Sequence, residues 1–213
     1  MTIMTRHRRG VRRAAPLAAA LSLAFLLAAC SVNLPGSGAP PDLYTLTPKS
    51  TYSADLPTVT WQLAVEVPIA AESLNNSRIA LRHDPLSLRY YKGARWTERA
   101  PVMVQTLLIE SFENSGKIIA VARKATDIRA DFVLKTDLRE FQAEYDAGGA
   151  PVAHVRLNAK LVVMPKRAII ASATFESSVQ AEGTGIAQVV TAFDTALGKT
   201  LKQIVEWALT VPE

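Results

Sequence analysis

Cysteine is nearly missing from this chain of 213 residues: Cys30 is the only one, so no disulfide forms within the chain and no thiolate cluster holds a metal. Histidine is almost as scarce. Of the three, only His83 and His154 follow Cys30, and no His-x-x-x-His pair occurs, so no metal centre is expected. There is no P-loop, no Gly-x-Ser-x-Gly elbow and no histidine placed to activate any of the serines. These absences argue against the common hydrolase and nucleotide-dependent classes, and the expectation is a non-enzymatic protein without a cofactor. A long hydrophobic run is lacking too. The longest, Ala14 to Ala29, spans 16 residues, short of the roughly 20 that cross a bilayer as a helix.

Acidic residues are absent before Cys30, where Arg6, Arg8, Arg9, Arg12 and Arg13 precede the apolar run. A basic leader followed by a short apolar stretch has the layout of an export signal. Its end, Leu27-Ala28-Ala29-Cys30, is a bacterial lipobox: small residues stand directly before a cysteine, as lipoprotein signal peptidase requires. Residues 1–29 are therefore expected to be removed, leaving Cys30 as an N-terminus carrying diacylglycerol and an N-acyl chain. At roughly 0.8 kcal/mol per buried methylene, two or three acyl chains anchor a protein without a spanning helix. Ser31, rather than the aspartate that retains enterobacterial lipoproteins in the inner membrane, points to the periplasmic face of the outer membrane. The Arg8-Arg9 and Arg12-Arg13 pairs leave both Sec and twin-arginine export open.

The leader also changes what charge implies. The whole chain carries +5, and the five leader arginines account for all of it. The mature part is neutral, so a nucleic-acid partner is not expected.

Residues 30–41 hold Pro35, Gly36, Ser37, Gly38, Pro40 and Pro41 and read as a flexible tether, about 35 Å long when extended at ~3.3 Å per residue. A single folded domain is expected over 42–213. Strands are predicted at Leu43–Leu46, Gln62–Val67, Ser77–Arg82, Leu86–Tyr91 and Ile118–Ala122. A longer strand over Asp131–Tyr145 changes apolar parity near Arg139-Glu140, the mark of a bulge. Ala153, Val155, Leu157, Ala159, Leu161 and Val163 alternate with His154, Arg156, Asn158 and Lys160, which predicts one buried and one wet face. Gly148-Gly149 is expected to turn the chain before this strand, and Pro165-Lys166-Arg167 after it, into Ile169, Ala171, Ala173 and Phe175. Helical spacing marks a first helix from Pro101 to the Asn114-Ser115-Gly116 stop and a closing helix over 184–209. Together these predict an α+β domain, a largely antiparallel sheet with two main helices packed on one face.

Few segments suggest chemistry. Gly183-Thr184-Gly185 at a helix start reads as a turn with a threonine cap rather than an anion site, and Asp137 and Glu140 as members of a solvated strand. Arg89-Tyr90-Tyr91-Lys92-Gly93-Ala94-Arg95-Trp96 interleaves basic and aromatic residues. It reads either as packing of Tyr90 and Trp96 against the first helix, or as a surface for a protein partner or a lipid headgroup formed by Tyr90, Tyr91, Arg95 and Trp96.

The lipobox and tether, Pro41-Asp42-Leu43-Tyr44-Thr45-Leu46, the Tyr90-to-Trp96 segment and the strand start Ala130-Asp131-Phe132-Val133-Leu134 resemble the ABC-type transport auxiliary lipoproteins, of the PqiC-like kind, over most of the mature chain. That resemblance implies a non-catalytic periplasmic subunit of an MCE-type lipid transport system. Its implied partners are an MCE-domain protein and ABC transporter components, and the copies are implied to form a ring that docks the assembly to the outer membrane. The chain departs from the family at Lys92-Gly93-Ala94, where more acidic residues are expected, and this bears on a partner contact there.

Overall fold

A computed structural model describes residues 39–124, 129–146 and 149–211. The leader, Cys30, most of the tether and Gly148 lie outside the described residues.

Among the described residues, nine strands and two helices follow in the order β1 (Asp42–Tyr44), β2 (Val59–Val65), β3 (Ile69–Ala70), β4 (Arg78–Asp84), β5 (Ser87–Trp96), α1 (Ala100–Ser115), β6 (Ile118–Arg123), β7 (Phe132–Glu144), β8 (Val152–Val163), β9 (Ala168–Gln180) and α2 (Ile186–Thr210). The strands form one mixed sheet around β7. Along one edge β7 pairs with β8 over its full length, and β8 pairs with β9; both ladders are antiparallel. The other edge is shared by three short strands running parallel to it: β2 at Phe132–Leu134, β3 at Asp137–Leu138 and β4 at Gln142–Glu144. Pro68 separates β2 from β3, since a residue without an N–H cannot donate to a ladder. β6 extends the sheet beyond β2, and β5 then β1 extend it beyond β4. The long ladders are antiparallel, as expected of an α+β domain, and the short pairings are mainly parallel.

The expected bulge is present. Register shifts between Leu138 and Glu140, so Arg139 is the extra residue and Phe141 and Ala143 rejoin the face occupied by Leu134 and Leu138. The same face of β8 presents Ala153, Val155, Leu157, Ala159 and Leu161, all essentially fully buried. Both helices pack on it in one continuous core. α1 begins at Ala100, one residue before Pro101, and stops at Gly116, whose φ of 60° and N–H to the Glu113 carbonyl close the last turn. In α2, Val189, Phe193, Leu197, Leu201, Ile204 and Ala208 are buried, as helical spacing predicts. Residues 47–53 strap the helices together: Thr47 donates to Asp194 of α2, Tyr52 Oη to the Ser111 carbonyl of α1 (2.6 Å), and Ser53 to Glu206 of α2.

Three local expectations change. Thr184 does not cap α2; its N-cap is Gly185, whose N–H donates to Gln188 Oε1 at 3.0 Å. Trp96 meets Phe193 of α2, with ring centroids 5.4 Å apart, and Phe141 of the sheet, so the aromatic partner it finds is on the second helix rather than the first. Ile169 does not share a face with Ala171. A second bulge places Ile169 opposite Val162 and Ala171 opposite Leu161, which leaves Ile170 as the extra residue and turns Ile169 to the far side of the sheet.

Candidate functional site

The helices cover one side of the sheet. Among the described residues the other side of β7, β8 and β9 is uncovered, and register alone determines what it displays: Val133, Val162 and Ile169 in one row, then Lys135 with Lys160, Asp137 with Asn158, Glu140 with Arg156 and Glu176, and Gln142 with His154.

At the β7 C-terminal end the charges neutralise one another. Glu140 accepts from Arg156 at 2.5 Å and lies 3.5 Å from Arg82, which also reaches Glu144 at 3.4 Å. His154 stands between two carboxylates, with Nδ1 3.1 Å from Glu144 and Nε2 2.6 Å from Glu176. Gln142, buried beneath them, donates to both Glu140 and Glu144. Burial alone would raise the Glu144 pKa, yet hydrogen bonds from Gln142 and His154 and the nearby Arg82 charge hold it below the ordinary carboxylate value. Glu140, Glu144 and His154 have ligand atoms within 4.8 Å of one another, but a cation would have to displace two guanidinium groups. This end is a charge lattice, and Glu140 is bridged rather than solvated as its strand position suggested.

The opposite end is different. Val133, Val162, Met164 and Ile169 line a hollow of about 420 Å³ together with Lys124, Lys135 and Arg167. Val133 and Val162 are 2% and 5% exposed, whereas Ile169 is 58% exposed. Glu66 pairs with Lys124 and, at 3.3 Å, with Lys135. Burial would raise its pKa, but hydrogen bonds and charge from those two lysines keep it lowered. On the other side of Met164, Trp61, Phe132, Val163 and Ile170 line a second hollow of similar volume.

The basic-aromatic segment falls on β5. Trp96 is 1% exposed and belongs to the core, so packing accounts for it and no partner touches it in the folded state. Tyr90 is half-buried, donates to the Ser73 carbonyl and carries Arg78 over its ring at 3.7 Å. Tyr91 shares a 2.7 Å hydrogen bond with Tyr145; burial chiefly, with that bond, raises its pKa. Arg95 is exposed opposite Leu43 of β1, itself 64% exposed. Only the outer parts of Tyr90, Tyr91 and Arg95 therefore remain available to a partner. His83 lies apart from His154, stacked on Tyr145 at 4.6 Å. The hollow was not foreseen from sequence, although two consecutive apolar residues, Ile169-Ile170, are the signal that a strand alternation has broken there.

Comparison with known proteins is consistent with this architecture. The family model for the ABC-type transport auxiliary lipoprotein component matches residues 44–205. A Xanthomonas campestris protein of the DUF330 family, known from its crystal structure, is 36% identical and superimposes with a TM-score of 0.76, over 80% of this chain and 95% of that one. A second crystal structure, of an uncharacterised protein 10% identical, shares the fold at a TM-score of 0.64 over 80% of this chain and 99% of its own. An uncharacterised protein of Bradyrhizobium diazoefficiens is 27% identical over 180 residues; the match takes in 83% of this chain but spans about half, 48%, of that relative.

Proposed function

The chain belongs to the ABC-type transport auxiliary lipoprotein components, and from that premise we propose that it is a non-catalytic docking subunit held to the outer membrane through Cys30. The family match over residues 44–205 is the observation that carries this reading. In it, residues 1–29 are the signal peptide, 30–41 the lipidated cysteine and tether, and 42–213 the folded unit. The transporter served is an MCE-type phospholipid system, with an MCE-domain protein and the ABC components as partners and a ring of copies as the assembled form. A small domain that hydrolyses nothing contributes geometry: the anchor fixes one membrane, the tether supplies reach, and the folded surface captures a partner held by the other membrane. Among the described residues no helix is long and apolar enough to cross a bilayer, so in this reading attachment rests on the lipid.

The test separates binding from anchoring. Detergent-extracted wild-type protein is expected to co-purify an MCE-domain protein or permease by mass spectrometry. Recovery of an unrelated envelope complex would instead make it an assembly lipoprotein of that complex. Cys30→Ser behind a cleavable Sec leader is expected to bind the partner in vitro yet fail to rescue the outer-membrane barrier of a deletion strain. Full rescue by the unanchored protein would end the docking reading.

A further inference from the structure

We infer that the hollow at the β7 N-terminal end of the open face binds an anionic amphiphile, a molecule with a phosphate or carboxylate head on an aliphatic chain. The inference rests on the chemistry of the hollow and not on the transport reading above.

The floor is apolar and its walls are basic. Val133 of β7 and Val162 of β8 form a closed base with Ala64, and Met164 and Ile169 rise at its sides. Lys124 follows β6, Lys135 is on β7 and Arg167 is in the β8–β9 turn. Three separate elements thus bring cations to one rim. Glu66 offsets one of these charges through its pairs with Lys124 and Lys135, which leaves the rim with a net charge of about +2. A volume of about 420 Å³ lies within the roughly 300–1,000 Å³ of small-molecule sites. A purely apolar ligand would leave the rim unused, and a small anion would leave Met164 and the exposed Ile169 in water. A ligand with an anionic head and an aliphatic stem satisfies both.

Two backbone features aim the site. The bulge at Ile170 turns Ile169 away from the helix-covered core, where an apolar side chain would ordinarily go, and onto the open face. Arg167 adopts a φ of 56°, a region that L-residues other than Asn and Asp seldom enter. Such a conformation persists where the surroundings impose it and often marks a ligand site. Here it presents a guanidinium, the group best shaped for two-point contact with phosphate or carboxylate, beside Ile169.

The test is native mass spectrometry of the lipidated full chain in a neutral sugar detergent, titrated with lysophosphatidylglycerol, lysophosphatidylcholine, a fatty acid of equal chain length and glycerol phosphate. Charge-assisted contacts predict that at least one anionic amphiphile binds roughly tenfold or more tighter than the zwitterionic one, and that glycerol phosphate, lacking a chain, binds far more weakly. The tighter of lysophosphatidylglycerol and fatty acid identifies the head as phosphate or carboxylate. Arg167→Glu and Lys135→Gln are expected to abolish the preference for anionic heads, and Ile169→Asp to weaken every chain-bearing ligand. All three side chains are at the surface, and unchanged melting temperatures certify that the variants fold. Equal affinity for the anionic and zwitterionic lysolipids, or an anionic preference that survives Arg167→Glu with Lys135→Gln, overturns the proposal.

Discussion

Trp96 shows how far a residue's chemistry is governed by its neighbours. Its indole is enclosed by Phe141 and Phe193, whose own rings lie 5.2 Å apart, and its Nε1 has no hydrogen-bond partner among the described residues. Deleting so large a buried side chain leaves a cavity, and Trp96→Ala is expected to cost about 3–5 kcal/mol in chemical denaturation. Trp96→Phe keeps most of the packing and removes a buried donor that is unsatisfied, itself a penalty, so its cost should be nearer 1 kcal/mol. If the two variants are equally destabilised, the indole N–H has a partner that this structure does not show. Gln105 is the satisfied counterpart. It is 4% exposed, donates to the Val65 carbonyl at 2.9 Å and accepts from Arg123 at 2.6 Å, tying α1 to β2 and β6.

At the scale of elements, the open face is a strip of strand residues whose charges at the β7 C-terminal end are paired across β4, β7, β8 and β9. That matching makes its stability pH-dependent. Glu144 and Glu66 both have folded pKa values below their ordinary 4.5. A carboxylate with a depressed folded value stabilises fully above the unfolded pKa and loses that contribution as pH falls through the folded one. Melting temperature should therefore be level above about pH 5 and decline as acid is added below about 4.5, and Glu144→Gln should make the decline shallower. A wild-type melting temperature that rises on acidification across this range would contradict the assignment. The two bulges act at the same scale. One at Arg139 lets β7 keep its apolar residues on the core through thirteen positions, and one at Ile170 moves a single isoleucine to the other side.

For the whole molecule, β7 is the spine: β8 lies along one edge, and β2, β3 and β4 succeed one another along the other. Amides in β7 and β8 that bond to neighbours on both sides should exchange slowest, near the global unfolding limit. β9 is different, since among the described residues it pairs only with β8, and its outward amides should exchange quickly at low protein concentration. Hydrogen exchange resolved by residue tests this directly. Protection of the β9 outer edge that grows with concentration would mean that another strand pairs there, a common fate of long exposed edges, and would bear on the proposed ring.

Local pattern was enough to place much of this fold. The alternation from Ala153 to Leu161, the stripe from Val189 to Ala208, the stop at Gly116 and the bulge beside Glu140 are each written in a short window, because burial of one face or stripe imposes a period of 2 or 3.6 on adjacent residues. β3 escaped because two residues carry no period. The division of one β7 edge among three strands, the burial of Trp96 against Phe193, and the meeting of Lys124, Lys135 and Arg167 over Val133 and Val162 depend on register between strands distant in the chain. A shift of one residue there moves every side chain to the opposite face. Tertiary packing alone selects that register, so it alone turned Ile169 outward and built the hollow.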